Sequence, residues 1–124
     1  MRRLLFAPQG AKLAVYAWAE GSDCQVESFL LDRSPPDRKR ITRQLEGLAY
    51  AWPEPLRNRQ KCKKLRANLY EVKAGQVRVL FFVDGAKIVA TNAFLKKQDR
   101  TPRTEIERAL RIRSLWAGSS GGNT

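Results

Sequence analysis

The sequence predicts an α+β domain: a small antiparallel sheet, made of one N-terminal strand and a three-strand meander, packed on a helical hairpin and followed by a C-terminal helix. Three observations predict it. Two β-rich runs, Leu69-Tyr70-Glu71-Val72-Lys73 and Val77-Arg78-Val79-Leu80-Phe81-Phe82, set charged residues among apolar ones at strand spacing, and a third leads to Phe94-Leu95-Lys96-Lys97. Ile41, Leu45, Leu48, Ala49 and Trp52 fall at i, i+4, i+7, i+8 and i+11, one stripe of a helix. Thr101-Pro102 opens a last helix, because Thr caps well and Pro suits the first helical position. The element order is therefore β-α-α-β-β-β-α.

Taken in order, residues 1–11 are expected as a loose N-terminal arm, 12–117 as a single domain and 118–124 as a Gly/Ser-rich disordered tail. Residues 12–19, rich in Val and aromatics, read as the first strand. Gly21-Ser22-Asp23 ends it, and Ser22 with Gln25 fits a capping box for a short helix carrying Val26, Phe29 and Leu30. Ser34-Pro35-Pro36 breaks the chain before the second helix, and Pro53 and Pro55 stop that helix. Residues 58–64 form a basic loop, either a solvated charge run or a phosphate-facing rim. In the last helix Ile106, Ala109 and Leu110 make a short apolar stripe, and fraying is expected near Trp116.

The turns set a register. With Asp84-Gly85 as a two-residue turn, Phe81 pairs with Ile88 and Arg78 with Thr91; with Ala74-Gly75 as another, Glu71 pairs with Arg78. Alternation with period two then sorts the side chains. One face carries Glu71, Lys73, Arg78 and Thr91, with Lys97 on the same side once the last strand is extended. The other carries Tyr70, Val72, Val77, Val79, Phe81, Ile88 and Ala90, and is expected to pack on the helical hairpin.

Composition narrows the chemistry. The 124 residues hold 24 Lys and Arg against 12 Asp and Glu, a net charge of +12, which favours polyanionic partners through the long-range field and counterion release. Histidine is absent, so acid–base work falls to Lys, Arg, Glu, Asp or Tyr. Cys24 and Cys62 make no metal-ligand spacing and are expected as reduced thiols of a cytoplasmic protein. No metal site or cofactor is expected. No apolar run approaches the ~20 residues that cross a bilayer, and the apolar stretch in residues 1–8 is too short for a signal peptide.

This element order resembles the RelE/ParE superfamily of bacterial toxins, and in particular its HigB-like, phage-derived branch. The matching residues are Leu69-Tyr70-Glu71-Val72-Lys73, Val77-Arg78-Val79-Leu80-Phe81-Phe82, Asp84-Gly85, Ile88-Val89, Phe94-Leu95-Lys96-Lys97 and Thr101-Pro102 with Glu105-Ile106 and Ala109. The likeness covers residues 12–113, by residues in the second half and by element order in the first. The branch often has Arg where this chain has Lys73, and His-Gly where it has Asn92-Ala93. The resemblance implies the toxin of a type II toxin-antitoxin system: a metal-independent endoribonuclease that cuts mRNA on the translating ribosome and inhibits translation. It also implies a cognate helix-turn-helix antitoxin.

Such a reaction, attack of the RNA 2′-hydroxyl on the adjacent phosphate, needs a base, stabilisation of phosphate charge and help for the leaving oxygen. Arg78 is then the phosphate clamp. Lys73 and Lys97 are base, acid or charge stabiliser, and Glu71 orients Arg78 or accepts the hydroxyl proton. Lys61, Lys63, Lys64, Arg66, Lys96, Arg100 and Arg103 are expected to contact RNA phosphates, and Phe82 to stack on a base. Two other readings stand beside this one: a ParE-like toxin that inhibits gyrase, and a catalytically degenerate module that only binds RNA or antitoxin.

Overall fold

The computed structural model describes residues 1–119. Its elements are β1 (Arg2–Phe6), β2 (Ala14–Trp18), α1 (Gln25–Leu31), α2 (Pro35–Ala51), a short helical turn (Glu54–Arg57), β3 (Cys62–Arg66), β4 (Leu69–Ala74), β5 (Val77–Asp84), β6 (Lys87–Leu95) and α3 (Arg103–Ser119). The α+β class and the hairpin-on-sheet arrangement agree with expectation. The sheet is larger and mixed: six strands in the order β1-β2-β6-β5-β4-β3, antiparallel except for the parallel β2/β6 pair.

Two segments differ in kind. The expected loose arm contains β1, which pairs with β2 from Arg2↔Trp18 to Phe6↔Val15 and forms one sheet edge. The expected basic loop yields β3, which pairs with β4 and forms the other. Alternation in both is short and interrupted by charge, and the partner strand supplies the ordering. Gly118 and Ser119, expected in the tail, lie within α3, which therefore runs past Trp116; residues 120–124 lie outside the described residues.

Helix α2 forms where its signals put it. Pro35 opens it, the Ser34 side chain accepts the Asp37 N–H at 3.4 Å, and Ile41, Leu45, Leu48 and Ala49 are buried. Helix α1 differs at its start: Cys24, not Ser22, is the capping residue, and it makes no side-chain cap.

Both hairpin turns sit one residue later than expected, at Gly75-Gln76 and Gly85-Ala86, where Gly75 and Gly85 hold φ of +62° and +57°. Moving a two-residue turn by one changes each partner by two, so the β4 and β5 faces keep their expected composition. Val72, Val79, Phe81 and Ile88 join α1 and α2 in the main core. Fully burying a side chain such as Leu45 or Phe81 contributes about 1.5–3 kcal/mol.

α3 covers only part of the opposite face. Its Ala109 packs on Leu69 and Leu80, and its Trp116 packs on Phe82 and Val89. The Trp116 indole N–H donates to Asp84 Oδ2 at 2.8 Å, and the Arg2 guanidinium stacks 4.1 Å over its ring. Glu71, Lys73 and Arg78 occupy the remainder of that face. No helix among the described residues is long and apolar enough to cross a membrane.

Candidate active site

The strand register gathers four cations and one carboxylate on the face shared with α3. Lys73 pairs with Arg78 across β4/β5, and Glu71 pairs with Lys63 across β3/β4. Paired residues share a face, and β4 contributes both Glu71 and Lys73 because they are two residues apart.

Arg78 is 8% exposed. One terminal nitrogen, NH1, donates to the Gly75 carbonyl at 2.8 Å and the Val77 carbonyl at 3.0 Å, which locks the guanidinium against the β4–β5 turn. Its Nε and NH2 have no hydrogen-bond partner among the described residues, leaving a donor edge that matches two phosphate oxygens. Glu71 does not orient it. The Glu71 carboxylate, 2% exposed, accepts the Thr101 hydroxyl at 2.5 Å and meets the Lys63 ammonium at 3.7 Å. Thr101 was expected as a helix cap; its hydroxyl instead ties the start of α3 to the sheet.

Lys73 carries the main electrostatic signature. Burial holds its pKa below the usual lysine value, and the neighbouring Lys63 and Arg78 push it the same way, as does Lys96; Glu71 opposes them. A lysine destabilised in its charged form gives up a proton more readily than a free one, so it is suited to proton transfer as well as to charge stabilisation. Cys62, beneath this cluster on the core side, has its thiol pushed up to about 12 by burial and by Glu71, and neither it nor Cys24 is in a disulfide.

The last strand departs from the expected sorting. Leu80 pairs with Asn92 but Phe81 pairs with Ala90, so Thr91 is an extra residue in a β-bulge. Its single hydroxyl proton has two acceptors in reach, Asn92 Oδ1 at 2.6 Å and the Leu80 carbonyl at 3.1 Å. Beyond the bulge every side chain changes face. Lys96, whose N–H continues the ladder to the Gln76 carbonyl at 2.7 Å, takes the place beside Lys73 that alternation assigned to Lys97. Lys97 is exposed in the following loop; with Glu71, Arg78, Lys96, Arg100 and Thr101 it still lines a small cleft. Asn92, where the resemblance leads one to look for His, is fully buried and donates to Glu105 Oε1 at 2.9 Å, so this position braces α3.

The expected RNA-contact residues divide. Lys63, Arg66, Arg100 and Arg103 line one groove of about 400 Å³ beside the cleft, sharing Arg100 and Thr101 with it. A β-bulge between Lys64 and Arg66 keeps Arg66 on the Lys63 face. Arg103 also pairs with Glu107 at 3.1 Å, and Lys96 with Asp99 at 3.4 Å. Lys64 is directed to the opposite face by its register with Tyr70, and Lys61 lines a separate groove beside α2. Phe82 is not a stacking platform: it is 3% exposed and lies under Trp116, with ring centroids 5.9 Å apart. Alternation put it on the correct face, but not under the helix that covers that end. Among the described residues, no group of three or more His, Cys, Asp or Glu could hold a metal ion.

Comparison with known proteins bears on this geometry. The family model for phage-derived Gp49-like proteins matches residues 28–114. The probable endoribonuclease HigB1 of Mycobacterium tuberculosis, from strains CDC 1551 / Oshkosh and ATCC 25618 / H37Rv alike, is 38% identical over 63 residues, 48% of this chain and 50% of the relative. The chain thus spans about half the length of the curated relatives it matches. The archaeal RelE-RelB complex of Pyrococcus horikoshii OT3 contains a chain similar in fold, with a TM-score of 0.55 at 19% identity, covering 70% of this chain and 98% of that one.

Proposed function

This chain belongs to the phage-derived Gp49-like family, and from that premise we propose that it is the toxin of a toxin-antitoxin pair, an endoribonuclease that cuts mRNA on the ribosome without a metal ion. The observation that carries the reading is the convergence of Lys63, Lys73, Arg78 and Lys96 on one sheet face, with the Lys73 proton loosened by burial and by the cations around it. HigB1, named as a probable endoribonuclease, supports the activity, and the RelE-RelB neighbour supports an antitoxin partner, which we assign to the helix-turn-helix class.

In this mechanism the free edge of Arg78 holds the scissile phosphate. Lys73 exchanges the proton of the attacking 2′-hydroxyl or of the leaving 5′-oxygen. Lys96, with Lys97 at the cleft margin, balances the charge that builds on the phosphate. Glu71 holds Lys63 and Thr101 in place, and the groove of Lys63, Arg66, Arg100 and Arg103 receives the flanking strand.

The test is induced expression in a bacterial host with mRNA cuts mapped by primer extension. Arg78→Ala is expected to lower cleavage by ~10²–10³-fold, the scale of losing one preorganised charge stabiliser, and to abolish growth arrest. Growth arrest that persists unchanged in Arg78→Ala would end the enzymatic reading. Inhibition of gyrase supercoiling by the wild type, without mRNA cuts, would favour the ParE-like reading.

A further inference from the structure

β2 runs beside β6 from Ala14↔Lys87 to Ala17↔Ala90 and ends at Trp18, while β6 continues to Leu95. From Thr91 onward no strand among the described residues pairs with that side of β6. One side chain stands in for it. The amide of Gln25, the first residue of α1, donates from Nε2 to the Ala93 carbonyl at 2.7 Å and accepts the Ala93 N–H on Oε1 at 2.8 Å. We propose that Gln25 is a positioning residue of the cationic cleft: its amide takes the place of the missing strand and, through β6, holds Lys96 beside Lys73. The effect on cleavage rests on the endoribonuclease reading; the placement of Lys96 does not.

A primary amide carries a donor and an acceptor side by side, so it can make the paired bonds of a neighbouring strand residue. The bonds matter because Ala93 is 1% exposed: without them a buried N–H and a buried carbonyl lose their partners. Gln25 is anchored on both sides, since Cys24 and Val26 are buried in the main core together with Ala93. Gln25 itself is exposed, so its contribution is the two bonds and not packing.

The clamp also selects a register. Main-chain N–H and C=O groups alternate between the two edges of a strand as side chains alternate between its faces. With Thr91 bulged, Lys96 turns its N–H to the Gln76 carbonyl, and Ala93, three residues earlier, turns its groups the other way, to Gln25. Without the bulge, pairing would run on unbroken from Phe81↔Ala90; Ala93 would turn to β5, and Lys97 would stand where Lys96 does. Three consecutive residues therefore meet three different elements. The Thr91 hydroxyl reaches the Leu80 carbonyl of β5, Asn92 bonds to Glu105 of α3, and Ala93 bonds to Gln25 of α1. Phe94, next after the clamp, pairs with Arg78 and lines the cleft, and Lys96 follows within ~10 Å of strand. Asn68 makes the same two-point contact with Val83, at 3.1 Å for each bond, where β4 ends beside β5. That second clamp lies at the far end of β5 from Arg78 and serves as an internal control.

The experiment follows the Lys73 amine by NMR titration of the full-length chain carrying labelled lysine. Lys96→Gln removes a neighbouring cation and is expected to raise the Lys73 pKa; Lys63 and Arg78, which act in the same direction as Lys96, and Glu71, which opposes them, stay in place. In Gln25→Met, which keeps the length and loses both bonds, that upward shift should shrink by about half or more, and the Ala93 amide should exchange faster with solvent. Gln25→Glu keeps the acceptor for the Ala93 N–H and should fall between the two. Asn68→Gly, which tolerates the positive φ of that turn and loses the other clamp, should leave the Lys73–Lys96 coupling unchanged. On RNA, Gln25→Met should lower kcat by roughly tenfold, the scale of one or two lost neutral hydrogen bonds, with little change in KM. Melting curves check folding, and Gln25→Glu carries the test if Gln25→Met does not fold. Undiminished coupling in either Gln25 variant, an equal loss in Asn68→Gly, or an unchanged kcat in Gln25→Met would overturn the proposal. A wild type that cuts no RNA would overturn the endoribonuclease reading alone, and the titration then decides the role of Gln25.

Discussion

Thr101→Val removes one hydroxyl and little else, and isolates the contact that ties α3 to the cationic cleft. In the native chain that hydroxyl donates to Glu71 Oε1 at 2.5 Å, both residues are buried, and Glu71's other partner is Lys63 at 3.7 Å. Valine fills the same space but leaves a buried carboxylate oxygen without its donor, a loss of about 2 kcal/mol for a hydrogen bond to a charged group. In a chain of this size each kcal/mol moves the melting temperature by about 4 °C, so a drop of about 8 °C is expected by calorimetry. Thr101→Ser keeps the donor and loses one methyl, about 0.8 kcal/mol, and should fall by about 3 °C. The cleavage rate should follow the same order, because Thr101 and Arg100 line both the cleft and the adjoining groove. A Val variant melting within about 2 °C of wild type, or a Ser variant melting below it, would refute the assignment of this contact as the tie.

Lys73→Met should abolish cleavage yet raise the melting temperature near neutral pH. The folded-state pKa of Lys73 lies below its ordinary 10.5, so the unfolded chain binds more protons, and the penalty on folding fades as pH rises towards that value; the gain in Met should shrink accordingly in melts taken at alkaline pH. A wild-type cleavage rate that climbs with pH through the lowered Lys73 pKa assigns that amine as base, and one that falls assigns it as acid, read from single-turnover pH profiles. Gly47→Ala should stabilise α2 by about 0.5–1 kcal/mol in urea unfolding. Gly75→Ala should destabilise by about 1–2 kcal/mol, because φ there is +62° and its Cβ would lie 2.8 Å from an Arg40 guanidinium nitrogen.

Several elements were legible from local pattern. The α2 stripe, with Ser34 and Pro35 at its start, reads from side-chain spacing and cap chemistry alone: Ile41, Leu45, Leu48 and Ala49 are buried, while Trp52, the last expected member, caps the helix end and is half-buried against the core. The partition of β4 and β5 into a Glu71-Lys73-Arg78 face and a Val72-Val79-Phe81 face survived a misplaced turn, since moving each turn by one residue preserves the parity of pairing. The residue composition also excluded imidazole chemistry outright. β1 and β3 were hidden because short, charge-interrupted strands depend on a neighbour for their hydrogen bonds.

What the sequence determined by itself is which residues can share a face: alternation with period two and helical periodicity are properties of neighbouring residues along one strand or helix. Which lysine stands beside Lys73, which aromatic lies under a helix and which hydroxyl meets Glu71 were decided only in three dimensions. The Thr91 bulge follows the stretch of β6 that pairs with both β2 and β5 and precedes Asn92, which bonds to Glu105 of α3; this single extra residue replaces Lys97 by Lys96. α3 buries Phe82 under Trp116 and leaves Arg78 beyond its reach, an outcome of where the helix crosses the sheet. Such contacts join residues far apart in the chain, and no local periodicity encodes them.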